Sequence, residues 1–356
     1  MRALLALPFI AACSAFGGGL SAPRLPARAC RVPRFARLAS SAAATARVAL
    51  PPSFVPPVPR PFRPTGDFVT LLTAIVAVCL RLGTGVFVAG WRPRLSLTPP
   101  PAAGAYSLRL GPLYYWDDSA ALRGELARPA GRLILYEFDS SPFCRKVRDA
   151  CTMLDLEVDV RPCPGAGGQR GGACNNFSDD LFARTGRRTV PYLIDEGRGV
   201  SLFESERIVA HLYEHYGPGK RKVPFTIRGV FALISAGCAA VVRGMPAAKL
   251  QVDVRPENGE MQPLVLYGFE GSPFVHPVRE KLCALGLPHT IVNCARGSAR
   301  RAQLIARTGR QFQVPFLIDP NTGVEMAESI DIRIHLDRVY TTSGYTPLRG
   351  GSYAQG

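Results

Sequence analysis

From Met1 to Gly66 the chain contains no aspartate and no glutamate. Nine arginines fall there (Arg2, Arg24, Arg28, Arg31, Arg34, Arg37, Arg47, Arg60 and Arg63), so that stretch supplies nine of the formal net charge of +16 and leaves +7 for positions 67–356. The remainder is mildly basic, and no Lys/Arg block interleaves with aromatics, which argues against nucleic-acid binding. The ten cysteines lack CxxC pairs or other metal-ligand spacing and form no even disulfide framework, so no metal site is expected and the thiols are expected to be reduced. Cys79, Cys151, Cys238 and Cys283 fall on apolar helical faces and read as packing residues. Also missing is an uninterrupted apolar run of the ~20 residues that a spanning helix needs. Residues 68–91 (FVTLLTAIVAVCLRLGTGVFVAGW) are broken by Arg81 and glycines, and residues 229–242 (GVFALISAGCAAVV) end at Arg243. These two align loosely, Thr73 with Ser235, Ala74 with Ala236, Ala77 with Ala239 and Arg81 with Arg243. Two readings stand for them: helices packed on each other or on the domains, or contact with a membrane surface, since a central arginine is costly inside a bilayer.

What is present is a repeat. Tyr136 to Ala150 reads YEFDSSPFCRKVRDA, and Tyr267 to Lys281 reads YGFEGSPFVHPVREK. In the first copy an apolar run (Leu133, Ile134, Leu135, Tyr136) stops at Asp139 and two serines. Pro142 then opens a helix whose apolar positions Phe143, Cys144, Val147, Ala150, Cys151 and Leu154 have the spacing of one buried face. A strand at 156–161, a Gly-rich loop at 164–173, a helix at 178–185, a strand at 190–195, a strand at 200–202 and a helix from 204 to 216 follow, with Ser205 a candidate N-cap. The order is β-α-β-α-β-β-α. The second unit repeats it: ARTGR at 183–187 recurs at 306–310, Cys163 matches Cys294, Val190 and Pro191 match Val314 and Pro315, and Glu204 and Ser205 match Glu328 and Ser329. Expected divisions are therefore a leader at 1–66, an apolar helix and Pro/Gly-rich linker at 67–131, an α/β domain at 132–217, a second apolar helix and linker at 218–262, a second α/β domain at 263–341 and a tail at 342–356.

The leader reads as an address. Arg2 precedes an apolar run from Leu4 to Ala12, small residues follow at Cys13, Ser14 and Ala15, and then comes Phe16. An acid-free stretch rich in Arg, Ala, Ser and Pro continues behind it. This resembles the signal-plus-transit leaders of algae with secondary plastids. The resemblance implies a plastid location, in the stroma or associated with thylakoids.

SPFC at a strand–helix turn (141–144), Val-Pro at 190–191 and Glu-Ser at 204–205 resemble, in that order, the N-terminal, thioredoxin-like domain of glutathione S-transferases, and also glutaredoxins. The doubled arrangement is similar to the tandem glutathione S-transferase N-terminal-domain proteins of plant and algal plastids. The resemblance implies a chain of two tandem thioredoxin-like domains, each preceded by an apolar helix. It implies glutathione as ligand or co-substrate, protein thiols as possible partners, and no metal. Glutathione contacts carry over to Phe143, Val190, the cis-proline Pro191, Glu204 and Ser205, and in the second domain to Ser272, Val314, Pro315, Glu328 and Ser329.

The catalytic position departs from the family. Where a glutaredoxin-like site has CPFC, Ser141 replaces the nucleophilic first cysteine and Cys144 is the second. Ser141 can be read as a hydroxyl that activates the glutathione thiol. Cys144 can be read as a single redox thiol or as a buried helix residue. Val275 replaces the thiol in the second copy, so cysteine redox chemistry is excluded there. Neither copy is followed by the all-helical domain of full transferases, which puts conjugation of bulky electrophiles in doubt. A non-catalytic binding or scaffold protein is the alternative.

Overall fold

The computed structural model describes residues 68–98, 107–164, 177–247, 250–251, 253–254, 261–309 and 312–341. The leader, nearly all of the Gly-rich loop and the tail lie outside these residues.

Helix α1 (Phe68–Leu80) comes first. Strands β1 (Arg92–Ser96), β2 (Ser107–Leu110) and β3 (Leu113–Asp118) form a small antiparallel sheet in the order β1-β3-β2. This corrects the expectation of a plain linker over 92–131: the short runs RPRLS and SLRL pair on either side of the aromatic run LYYWDD. The first repeat follows as β4 (Leu133–Glu137), α2 (Pro142–Met153), β5 (Glu157–Pro162), α3 (Phe177–Thr185), β6 (Tyr192–Asp195), β7 (Val200–Phe203) and α4 (Ser205–Tyr216). Helix α5 (Gly229–Val242) separates it from the second repeat. That repeat comprises β8 (Leu264–Gly268), α6 (His276–Ala284), β9 (His289–Asn293), α7 (Arg300–Thr308), β10 (Phe316–Asp319), β11 (Val324–Ala327) and α8 (Ser329–Tyr340). The expected β-α-β-α-β-β-α order is observed twice.

Both repeats contribute to one eight-stranded sheet, β11-β10-β8-β9-β5-β4-β6-β7. Alternation along the strands divides the side chains between its faces. Leu133 and Leu135 enter one large core shared by the two repeats, together with Leu264 and Leu266. Ile134 and Tyr136 turn to the other face, where they meet Phe177 and Leu181 of α3. In the second repeat Tyr267 and Ile318 meet Leu304 of α7 in the same way.

The join between repeats is a pairing of β5 with β9, antiparallel, with Val158 opposite Ile291, Asp159 opposite Thr290 and Val160 opposite His289. Positions 159 and 290 are equivalent in the repeat, so the pairing is symmetric about that point. Two edge strands that would each expose an unpaired backbone row close one another. Thr290 Oγ1 donates to Asp159 Oδ1 at 2.7 Å across the pair.

Helices α1 and α5 are antiparallel neighbours, locked by reciprocal contacts. Arg81 at the end of α1 donates to the Ala232 carbonyl at 3.0 Å and to Ser235 Oγ at 2.7 Å, both on α5. Arg243 at the end of α5 donates to the Thr70 carbonyl and to Thr73 Oγ1 on α1. Each arginine also pairs with an acid of a repeat helix, Arg81 with Asp149 on α2 and Arg243 with Glu280 on α6. The loose alignment of the two apolar segments is thus realised as a two-fold-like exchange. No described helix is long and apolar enough to cross a membrane.

Candidate functional site

The sheet register brings the expected site segments to one end of each repeat. Tyr136 of β4 lies opposite Tyr192 of β6, and Tyr192 lies opposite Phe203 of β7. The loop after Tyr136, the Val190–Pro191 segment before Tyr192 and the Glu204–Ser205 turn after Phe203 therefore leave the sheet side by side. In the second repeat the corresponding row is Tyr267, Phe316 and Ala327. Gln313, next to Val314, donates directly to the Glu328 carboxylate there, tying two of the segments together.

Both Val190–Pro191 and Val314–Pro315 are cis. Glu204 and Glu328 share an unusual backbone conformation, φ 70° and φ 75°. Side chains other than glycine seldom adopt it, and it is typical of functional turns. The turn delivers the following serine to the first residue of α4 or α8. This revises the capping expectation: Glu204 holds the N-cap position without a side-chain cap, and Ser205 is already helical and buried. In α8 the equivalent Ser329 hydroxyl is buried and has no hydrogen-bond partner among the described residues. A helix start with such a hydroxyl suits a carboxylate ligand, because free N–H groups point the same way.

Ser141 caps α2, its Oγ accepting the Cys144 backbone N–H at 3.4 Å. The same hydroxyl also reaches the Cys144 thiol, whose pKa it lowers against the larger effect of burial. Ser141 is 8% exposed and Phe143, in the first turn of the helix, is 44% exposed. Cys144 is 0% exposed, and its sulfur receives the Phe138 N–H at 3.5 Å. Burial, with the Glu137 carboxylate near, pushes its thiol up to about 12. A redox-active thiol needs exposure and thiolate character; Cys144 has neither, and its environment is that of the buried helix residue. In the second repeat Ser272 is buried and its carbonyl accepts from the Val275 N–H at 3.2 Å. The helix there starts later, at His276, with no side-chain cap, since Pro277 leaves the first turn one donor short.

Two features escaped the sequence reading. Arg187 stands over the Phe203 ring at 5.6 Å, beside the Glu204–Ser205 turn, and makes no ion pair among the described residues. The recurrence of ARTGR was its only signal. The second feature lies behind the site. Glu137 and Asp139, in the segment leading to Ser141, are buried with Arg148 and with Glu270 and Arg279 of the second repeat. Arg148 binds Glu137 at 3.0 Å and Glu270 at 3.0 Å and donates to the Asp139 carbonyl at 2.9 Å. Arg279 binds Glu137 at 2.9 Å and Glu270 at 3.0 Å. The loop that carries Ser141 is thus held from behind by the other repeat. Burial opposes the charge on Glu270, but Arg148, Arg279 and Arg145 together hold its carboxyl well below the usual range. Burial wins at Asp139, which is raised despite Arg148 and Arg279.

Two histidines at this junction carry a pH dependence. Burial, reinforced by Arg145, lowers His276 well below its ordinary value, and Arg145 Nη2 donates to its Nε2 at 3.1 Å, which keeps the ring neutral. Burial lowers His289 to about 4. Its Nδ1 hydrogen bonds the Leu287 carbonyl at 3.0 Å, and its Nε2 has no partner among the described residues. Both rings bind protons more readily when unfolded. Stability is therefore fully present above about pH 6.5 and falls as pH drops from there toward 4. His289 alone accounts for about 3 kcal/mol over that window. Denaturant titrations across this range should show the loss, and His289→Gln should flatten the slope by close to one proton. An unchanged slope in the variant would remove His289 from the account.

The cis-proline and the Glu-Ser turn of both repeats, with the serine-capped helix of the first, brought to one sheet end of a β-α-β-α-β-β-α core built twice, define a protein of two tandem thioredoxin-like domains. Residues 135–221 and 266–344 each match the family model described as "Glutathione S-transferase, N-terminal domain". No curated protein and no solved structure matches the chain.

Proposed function

We propose that the first repeat binds glutathione, with Ser141 rather than Cys144 facing its sulfur. The observation that supports this most is the Glu-Ser turn: its rare backbone conformation recurs in both repeats and presents a buried serine at a helix start. Glu204 and Ser205 would receive the γ-glutamyl end, with Arg187 near its carboxylate. The backbone of Val190, just before the paired residues of β6, would meet the cysteinyl backbone, with Phe143 along one side. Val314, Pro315, Glu328 and Ser329 offer the second repeat an equivalent set beneath Ser272. The Ser141 hydroxyl, turned from the Cys144 thiol to the ligand, would lower the thiol pKa of bound glutathione, which is transferase chemistry. Disulfide exchange with protein thiols is not part of this reading, because Cys144 is buried and protonated at neutral pH. The acid-free leader supports a plastid setting.

Titration calorimetry of the full chain with glutathione tests the reading. Ser205→Ala should weaken binding about tenfold or more, the effect of losing a hydrogen bond to a charged group. Cys144→Ser should leave binding, and any glutathione-dependent disulfide reduction, unchanged. Disulfide reduction that disappears in Cys144→Ser would restore the single-thiol oxidoreductase. Absence of glutathione binding by the wild type would leave the second reading, a recognition or scaffold protein. That reading is favoured by the replacement of the first cysteine with serine in both copies.

A further inference from the structure

Helices α1 and α5 are packed the wrong way round for a soluble protein. An ordinary surface helix turns its large apolar residues inward and its polar residues out. Here the inward residues are small: Ala74 and Ala77 on α1, and Ala232, Ser235, Ala236, Gly237 and Ala239 on α5. The large apolar residues face out. On α5 Val230 is 70% and Ile234 60% exposed, with Val241 on the same stripe, and on α1 Val69 is 68% exposed with Leu72 and Val76 one and two turns on. Cys79 and Cys238, expected as packing residues, are exposed on these outer faces for the same reason. Close helix contact through small residues with large apolar side chains outside is how helices associate in lipid. An apolar stretch of this length is expected to be a buried core helix or an interfacial one. Outward-facing Val, Leu and Ile rule out the buried core.

The sequence around this plate is basic, and the carboxylate met at the start of α5 is that of Glu206, which accepts the Gly229 N–H at 3.2 Å. Residues 68–116 and 215–252, which contain the two helices, hold no Asp or Glu. Lys220, Arg221 and Lys222, all exposed, form a short 3-10 turn ahead of α5, and exposed Arg228 stands immediately before its first residue. Between them exposed Phe225 lies 5.5 Å from the Phe231 ring of α5, which joins the basic segment to the apolar surface. Glu214 is the acid nearest to this basic segment in sequence, its carboxylate accepting the Lys220 backbone N–H. An apolar plate rimmed by lysine and arginine is complementary to a bilayer whose headgroups are negative.

We infer that α1 and α5 together form a docking surface for an anionic lipid bilayer, lying in the headgroup region without crossing it. The inference is independent of glutathione binding.

Flotation of the full chain with phosphatidylcholine vesicles, with and without phosphatidylglycerol, tests it. The protein should float with the anionic vesicles and much less with the neutral ones. Ile234→Asp on the outer stripe should lower partitioning by about tenfold or more. Lys222→Gln should lower it about fivefold at low salt, and this difference should shrink at high salt. Both positions are exposed, so neither change touches the core, and circular dichroism would verify the fold. Equal partitioning of wild type and both variants overturns the inference. So does a stable dimer in solution that Ile234→Asp dissociates while vesicles are ignored, because the face would then be covered by a second copy.

Discussion

Glu270→Gln is expected to destabilise the protein by about 3–5 kcal/mol, the cost of removing one partner from a buried ion network. The carboxylate sits between Arg148 and Arg279 at 3.0 Å from each, with Arg145 at 3.4 Å. With it gone, the buried guanidiniums of Arg148 and Arg279 face only Glu137 and Asp139, Arg145 loses its ion pair, and burial already drives Asp139 toward its neutral form. The sign with pH follows from the lowered pKa of Glu270. Its contribution is present above the ordinary glutamate value and is lost only as pH falls through the lower folded value. The penalty should therefore be fully visible at neutral pH. Urea denaturation of wild type and variant measures it. Arg188→Gln, which breaks an exposed pair with Asp179, is the comparison and should stay within about 1 kcal/mol. Similar small losses for both would mean that the network adds nothing to the join between repeats. A real loss would also loosen the Ser141 loop, because Arg148 and Arg279 hold Glu137 and Arg148 holds the Asp139 carbonyl.

Arg81→Met should have an effect of comparable size, roughly 3–5 kcal/mol, concentrated in the helix pair. Arg81 is wholly buried and joins three elements: it pairs with Asp149 on α2 and donates to Ser235 Oγ and the Ala232 carbonyl on α5. Its removal strands Asp149, whose carboxyl burial raises even with Arg81 beside it. Asp149→Asn added to Arg81→Met should recover part of the loss, since no buried charge then remains alone. Hydrogen exchange would localise the effect: amides of α1 and α5 should lose protection well before those of β4 and β8. Uniform loss across the sheet, or strictly additive single and double variants, would show that Arg81 does not act through Asp149. If the helix pair loosens, vesicle flotation should fall with it, linking this clamp to the docking surface.

Much of the local structure was legible because it depends on neighbours in sequence. Pro142 behind Ser141 marked the start of α2, and the i, i+3, i+4 apolar spacing marked its buried face. The repeat doubled each weak signal, so that Val-Pro and Glu-Ser, individually common, became informative by recurring in register. The strands of residues 92–118 were missed because prolines and glycines between them read as linker. Cys79 and Cys238 were assigned to packing because an apolar pattern shows which helix faces are hydrophobic but not which face meets protein. In helices that are apolar all round, periodicity carries no such information.

By itself, the sequence determined two β-α-β-α-β-β-α units, the positions of their turns, and the loss of the first cysteine in both. Those follow from backbone preferences and from side-chain identity over short stretches of chain. Tertiary structure alone decided that β5 pairs with β9 and merges the units into one sheet. It also decided that Cys144 is sealed while Phe143 is open, that acids and arginines of the two repeats meet in one buried network, and that α1 and α5 turn their large residues outward. Each of these depends on which surfaces exclude water and which charges they enclose, and the energies of burial and ion pairing are set by neighbours far away in the chain.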